Sequence, residues 1–248
     1  MEAVYVMWLR QLKKTWRSKA RIIGSLGQPL LFLLALGFGL GAVFEKAGQG
    51  NYVNFLVPGI IAMSILFTAM FAGIEIIWDR QFGFLKETLV APIPRWKIML
   101  GRTLGGATTS SIQGIIVLLI ALLIGFRPVS LLGALLSMAF IFLIAFMFTA
   151  FGTAIASRMT DMQAFPLVMN FIIMPIFFLS GSLFPLTEAP AGIKAVSMAN
   201  PLTYGIDGLR GTLSGASHFP ILLDFSVIIS GAILLGLLGS YLFSKIEV

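Results

Sequence analysis

The 248-residue chain contains no cysteine, a single histidine (His218) and only 11% charged residues. Without cysteine there is no disulfide scaffold, no zinc-thiolate site and no thiol nucleophile, while the redox compartment is not legible from that absence. One histidine leaves His-based zinc or non-haem iron sites without ligands. No phosphate-binding loop of the G-x-x-x-x-G-K-[ST] type occurs, and no segment between the apolar runs is long enough for a nucleotide-hydrolysing domain, so the chain is expected not to power itself with ATP. A G-x-S-x-G elbow is also missing. The formal net charge is +7, yet the cations sit in short segments between apolar runs and form no continuous basic face. Anionic lipid headgroups, not nucleic acid, are the expected partner of those charges.

What the chain has in abundance is apolar surface: 58% hydrophobic residues and a mean hydropathy of +0.99. Such a composition cannot coat a soluble globule with its own polar groups, so the solvent is expected to be lipid. Six windows are long enough, at 1.5 Å per residue, to cross a hydrocarbon core of roughly 30 Å. They lie near residues 22–44, 55–77, 103–126, 131–156, 164–184 and 221–243. Lys and Arg cluster before the first window and between the second and third; alternate assignment puts 13 of the 17 on one side and 4 on the other. The positive-inside bias therefore predicts that both termini are cytoplasmic. The first apolar run is too long for a signal-peptide core and lacks a small-residue cleavage site, so it is expected to stay in the mature protein.

Ahead of the first window, Tyr5, Trp8, Leu9, Leu12 and Trp16 share one helical face, and Arg10, Lys13, Lys14, Arg17 and Arg21 the opposite one. This predicts a helix lying in the headgroup plane over residues 1–21; a basic stretch that merely orients the first crossing is the alternative. Between windows two and three, Trp78, Phe82, Leu85 and Leu89 make an apolar stripe with Asp79, Arg80, Lys86 and Glu87 away from it. One amphipathic helix is expected there, stopped by Pro92 and Pro94 before the interfacial Arg95-Trp96-Lys97. Such a helix is either a handle for a partner protein or a surface-lying connector. Residues 185–215 are too apolar for an exposed loop and too often broken by Pro and Gly to cross. They read as short helices dipping into the outer leaflet, a gate or entrance. Small-xxx-small spacings at Gly37/Gly41, Gly101/Gly105 and Ala232/Gly236 permit close helix approach. Among the apolar windows Glu75 alone stands out as intramembrane charge; Arg80 or Arg102 is its expected partner in a structural ion pair, favoured over a proton relay.

Two stretches carry a family resemblance. Asp79-Arg80-Gln81-Phe82-Gly83-Phe84-Leu85-Lys86-Glu87-Thr88-Leu89-Val90-Ala91-Pro92-Ile93-Pro94-Arg95, running on to Gly101-Arg102, resembles the R-E-x-G-T-L-E-x-L-x-x-(S/T)-P-(I/V) segment of ABC-2 type permeases. So does Leu179-Ser180-Gly181 to Phe184-Pro185, followed by Asn200-Pro201-Leu202-Thr203-Tyr204 and Asp207-Gly208-Leu209-Arg210. The likeness is greatest to the group holding the daunorubicin-resistance and nodulation-export permeases, and it covers the whole chain. Two departures are Gln81, where the family commonly has Glu, and Phe84-Leu85-Lys86, where it commonly has Thr-Leu-Glu.

The resemblance implies an all-α membrane protein, one domain over 1–248: an interfacial helix (1–21), crossings one and two (22–77), a cytoplasmic coupling segment (78–98), crossings three to five (103–184), an outer re-entrant segment (185–215) and crossing six (221–243). It implies an ATPase-coupling role for Asp79, Arg80, Phe82, Gly83, Leu85, Lys86 and Glu87. It places Pro185, Asn200, Pro201, Tyr204, Asp207 and Arg210 in the outer re-entrant gate. The implied function is a non-catalytic permease in the cell membrane, without cofactor. It pairs with itself or a paralogue and with a separate ATP-binding cassette ATPase, and exports a lipophilic or amphiphilic drug, lipid or lipid-linked glycan. The competing readings are a membrane-embedded lipid-modifying enzyme, whose polar candidates Asn170, Ser180, Asp207 and Arg210 are scattered, and a channel or scaffold, for which no filter sequence is present.

Overall fold

The computed structural model describes residues 2–46 and 51–246, which form helices and no strands. The order is α1 (Glu2–Arg17), α2 (Lys19–Lys46), α3 (Tyr52–Phe71), α4 (Ile74–Gln81), α5 (Phe84–Val90), α6 (Arg95–Ile124), α7 (Leu131–Arg158), α8 (Ala164–Phe178), a short 3-10 turn at Leu186–Glu188, α9 (Ala191–Ala199), α10 (Pro201–Ser214) and α11 (Ile221–Ser244). Five stretches among the described residues are long and apolar enough to cross a membrane: Lys19–Gly41, Tyr52–Gln81, Arg95–Ile124, Leu131–Arg158 and Ile221–Ser244. The fifth expected crossing, 164–184, contains a helix of only 15 residues, Ala164–Phe178. At 1.5 Å per residue that is about 22 Å, short of a ~30 Å core. The helix stops because the chain turns at Leu179, where the Ser180 and Ser182 hydroxyls both donate to the Phe177 carbonyl.

Burial separates the long helices into a centre and a periphery. The most apolar window of α3 is 72% buried, those of α2 and α11 only 17%. α3 packs against α2, α6 and α7, and α7 in turn against α11 and α6. Exposed apolar side chains such as Leu123, Leu131, Phe171 and Leu222 line the outside, the inversion expected where the surroundings are lipid.

α1 lies along α6, and glycine makes this possible. A Cβ added at Gly101 would stand 2.7 Å from the Met7 Cβ and 2.8 Å from the Val4 carbonyl, and one at Gly105 would overlap the Gln11 side chain. The Trp8 indole N–H donates to the Thr108 hydroxyl at 3.0 Å across the same seam. Of the three small-xxx-small spacings, this one brings a neighbouring helix's backbone to its glycines. An added Cβ meets only side-chain atoms at Gly37 and Gly236, 3.5 Å or more away, and nothing within 4 Å at Gly41.

The expected single helix through Trp78–Leu89 is two helices. Gly83 has φ +80°, a left-handed conformation that ends α4 and starts α5 at a new angle. Ahead of the break Trp78 and Phe82 are exposed and Asp79 is buried, the reverse of the expected faces; beyond it Leu85 is buried while Lys86 and Glu87 are exposed. Because an L-side chain is disfavoured there by about 1–2 kcal/mol, Gly83→Ala is expected to lower the thermal midpoint of the purified protein, with Gly83→Asn milder.

Candidate coupling surface and its charge clamp

Two carboxylates one helical turn apart on α4, Glu75 and Asp79, are each only 6% exposed. Burial of a charge this deep demands partners, and each has two. Glu75 meets Lys14 Nζ at 3.2 Å and Arg21 Nη1 at 3.1 Å. Asp79 pairs with Arg102 of α6, itself 6% exposed, and with Arg10 Nη2 at 3.5 Å. The clamp thus joins α1, the start of α2, α4 and α6. Glu75 was expected to pair with Arg80 or Arg102; its partners are Lys14 and Arg21.

Arg80 turns the other way. Its Nη1 and Nη2 donate to the carbonyls of Met159 (3.0 Å) and Ser157 (3.1 Å), while the Gln81 amide donates to Thr160 (3.2 Å). A cation on the last carbonyls of α7 satisfies orphan acceptors and complements the helix dipole. Below this anchored helix hangs α5, with Leu85 fully buried and Phe84, Lys86 and Glu87 exposed. Together with Phe82, Val90 and Trp96 they leave an exposed apolar and charged surface at this end of the bundle. Patches of this kind mark contact surfaces or membrane interface.

The other expected cluster is assembled at the opposite end. The Asn200 side chain caps α10 by accepting from Leu202 N–H (3.0 Å) and donates to the Ile176 carbonyl (2.6 Å). The Asp207 carboxylate accepts from the backbone N–H groups of His218 and Phe219 at 2.8–2.9 Å. Arg210 donates to the Gly181 carbonyl at 3.0 Å and lies 3.9 Å over the Phe55 ring. The Tyr204 hydroxyl donates to the Met198 carbonyl. Pro185 precedes the 3-10 turn and Pro201 opens α10. These side chains bind α9 and α10 to the ends of α3, α8 and α11.

With this geometry, the comparison that decides the class is a match of residues 2–214 to the ABC-2 type transporter model. The chain belongs to the ABC-2 type transporter family. A Cyanophora paradoxa chain, ycf38, whose name describes a transport permease, is 28% identical over 264 residues, covering 99% of this chain and 89% of its own. Nodulation protein J of Rhizobium leguminosarum bv. trifolii is 29% identical over 214 residues, 85% of this chain and 78% of that one. The inner membrane transport permease YadH of Escherichia coli K12 is 27% identical over 200 residues, 80% and 77% respectively. The chain is a transport permease of this family, with several helices apolar enough for a multi-pass membrane protein.

Of the residues that the resemblance implies for coupling, Phe82, Lys86 and Glu87 face outward, whereas Asp79 and Leu85 are buried and Arg80 is engaged with α7. Arg10, Lys14 and Arg21 lie far from α4 in the chain, so in the sequence the i+4 relation of Glu75 and Asp79 is the one signal of these ion pairs. Asp224, fully buried in the first turn of α11 beside the Asp207 carboxyl, likewise carries no signal in the sequence.

Proposed function

We propose that this permease is the membrane half of an exporter in the cell membrane. It works as a homodimer driven by a separate ATP-binding cassette ATPase subunit, and it moves a lipophilic or amphiphilic substrate: a drug, a lipid or a lipid-linked glycan. In this reading each chain crosses six times with both termini cytoplasmic, α8 completing its crossing through the 179–184 segment. α1 lies in the inner headgroup layer, and residues 185–215 fold back into the outer leaflet as α9 and α10. The uneven distribution of Lys and Arg supports this orientation.

The observation that carries the proposal is the pairing of an exposed α5 surface with a buried clamp directly behind it. A partner pressing on Phe82, Phe84, Lys86 and Glu87 displaces α4, and α4 is ion-paired to helices on both sides. ATP-driven closure of two such partners would then switch the bundle between inward and outward arrangements. The experiment is co-purification of the cognate ATPase subunit with the permease carrying Lys86→Glu and Glu87→Lys together. Association is expected to weaken by roughly tenfold or more, as for charges at an interface, with the permease still folded because both side chains are exposed. Undiminished co-purification and transport would remove α5 as the docking element.

A further inference from the structure

We propose that the groove between the α1–α2 elbow, α3 and α6 binds an anionic amphiphile of the bilayer, one with a phosphate headgroup and at least one long apolar chain. This rests on the exporter reading and narrows its cargo by charge. The groove has a volume of about 1360 Å³, above the roughly 300–1,000 Å³ of small-molecule pockets, which suits a lipid better than a drug-sized molecule. Its walls are apolar: Met63, Phe67 and Phe71 on α3 face Ile112 and Ile116 on α6.

Its mouth is cationic. Lys13, Lys14, Arg17, Lys19 and Arg21 line it, and Glu75 is the one carboxylate among the lining residues. Glu75 engages Lys14 and Arg21, while Lys13, Arg17 and Lys19 make no ion pair among the described residues. Three uncompensated cations above an apolar slot attract an anion that carries a chain; a neutral amphiphile leaves them to water alone. Farther along α6 the groove is lined by Gln113, which is 3% exposed and whose Nε2 has no hydrogen-bond partner among the described residues. A buried donor without an acceptor is costly, and an ester or similar oxygen between headgroup and chain would satisfy it. The groove thus offers cations, one buried donor and apolar walls to a headgroup, its linkage and its chain.

The test places the full-length permease in phosphatidylcholine nanodiscs doped with a phosphatidylglycerol bearing a photoreactive group in its acyl chain, or with the matching phosphatidylcholine probe, and maps the labelled peptides. The anionic probe is expected to label the α3 and α6 groove segments at least about fivefold more than the zwitterionic one, the ratio that one cation's headgroup attraction supplies. Lys13→Gln, Arg17→Gln and Lys19→Gln together, all at exposed positions, should abolish that preference, and Gln113→Leu should weaken groove labelling without moving it. Equal labelling by both probes, an unaffected triple variant, or labels confined to the outward faces of α7 and α11 would overturn the inference. Should Gln113→Leu fail to fold, the triple variant carries the test. Labelling is read without the ATPase subunit, so the two proposals fail separately. Lost selectivity with intact ATPase association refutes the groove site alone, and retained selectivity without association refutes the coupling reading alone.

Discussion

Asp79→Ala is expected to destabilise the permease by about 3–5 kcal/mol, the cost of stranding a buried cation by deleting its counter-charge. The reason is specific to the site: Arg102 is 6% exposed, and among the described residues Asp79 is its one ion-pair partner. Removing the carboxylate leaves a guanidinium in a low-dielectric interior with no acid to oppose it. The measurement is the thermal midpoint in detergent, compared with Arg102→Leu and with the double variant. If the pair acts as described, Asp79→Ala combined with Arg102→Leu is less destabilised than Asp79→Ala alone, because the stranded charge is gone. Additive losses would show that the two side chains act independently. Glu75→Ala should be milder, since its partners Lys14 and Arg21 are partly solvent-accessible and can rehydrate.

Gly105→Leu is expected to force α1 off α6. The added side chain would occupy the space of the Gln11 side chain and crowd the Trp8 carbonyl, 3.4 Å from the new Cβ. Overpacking of this kind costs typically about 1–3 kcal/mol when the neighbours can shift, and here the neighbour is a whole helix held by ion pairs at one edge. The absence of native cysteine gives a clean readout. A single cysteine introduced at Met7, which is 9% exposed against α6, should resist maleimide in the parent and react rapidly in the Gly105→Leu background. Protection of that thiol in both would show that α1 accommodates the side chain in place. Transport is expected to fall together with protection, because the clamp on α4 shares this helix.

Much of the fold was legible because lipid imposes a coarse grammar: long apolar runs must be helices, and five of the six expected windows hold such helices at nearly the expected places. The amphipathic start was legible for the same reason, as was the Gly101/Gly105 spacing, though nothing in it named α1 as the partner. The ion pairs were not legible. Arg80 and Arg102 were the obvious candidates for Glu75 by nearness in sequence, yet the cations that reach it, Lys14 and Arg21, come from a helix and an elbow more than fifty residues earlier. The faces of α4 were not legible: Asp79 turns inward to Arg102 and Arg10, which leaves Trp78 and Phe82 exposed, and the left-handed Gly83 then starts α5 at a new angle. Asp224 escaped notice because a single acid in the first turn of an apolar window does not interrupt its hydropathy; only packing shows it fully enclosed.

The double clamp has a consequence for how force would spread. Because Arg10 and Lys14 grip α4 from a helix that also rests its Gln11 and Met7 in the glycine groove of α6, α1 is a passenger of both. On the proposed coupling, with α1 among the headgroups, a shove on α4 would drag an amphipathic rod bearing exposed Tyr5 and Trp16 sideways through the leaflet. The leaflet would then damp every stroke, and its fluidity and surface charge would set the pace of the machine as directly as any residue within it.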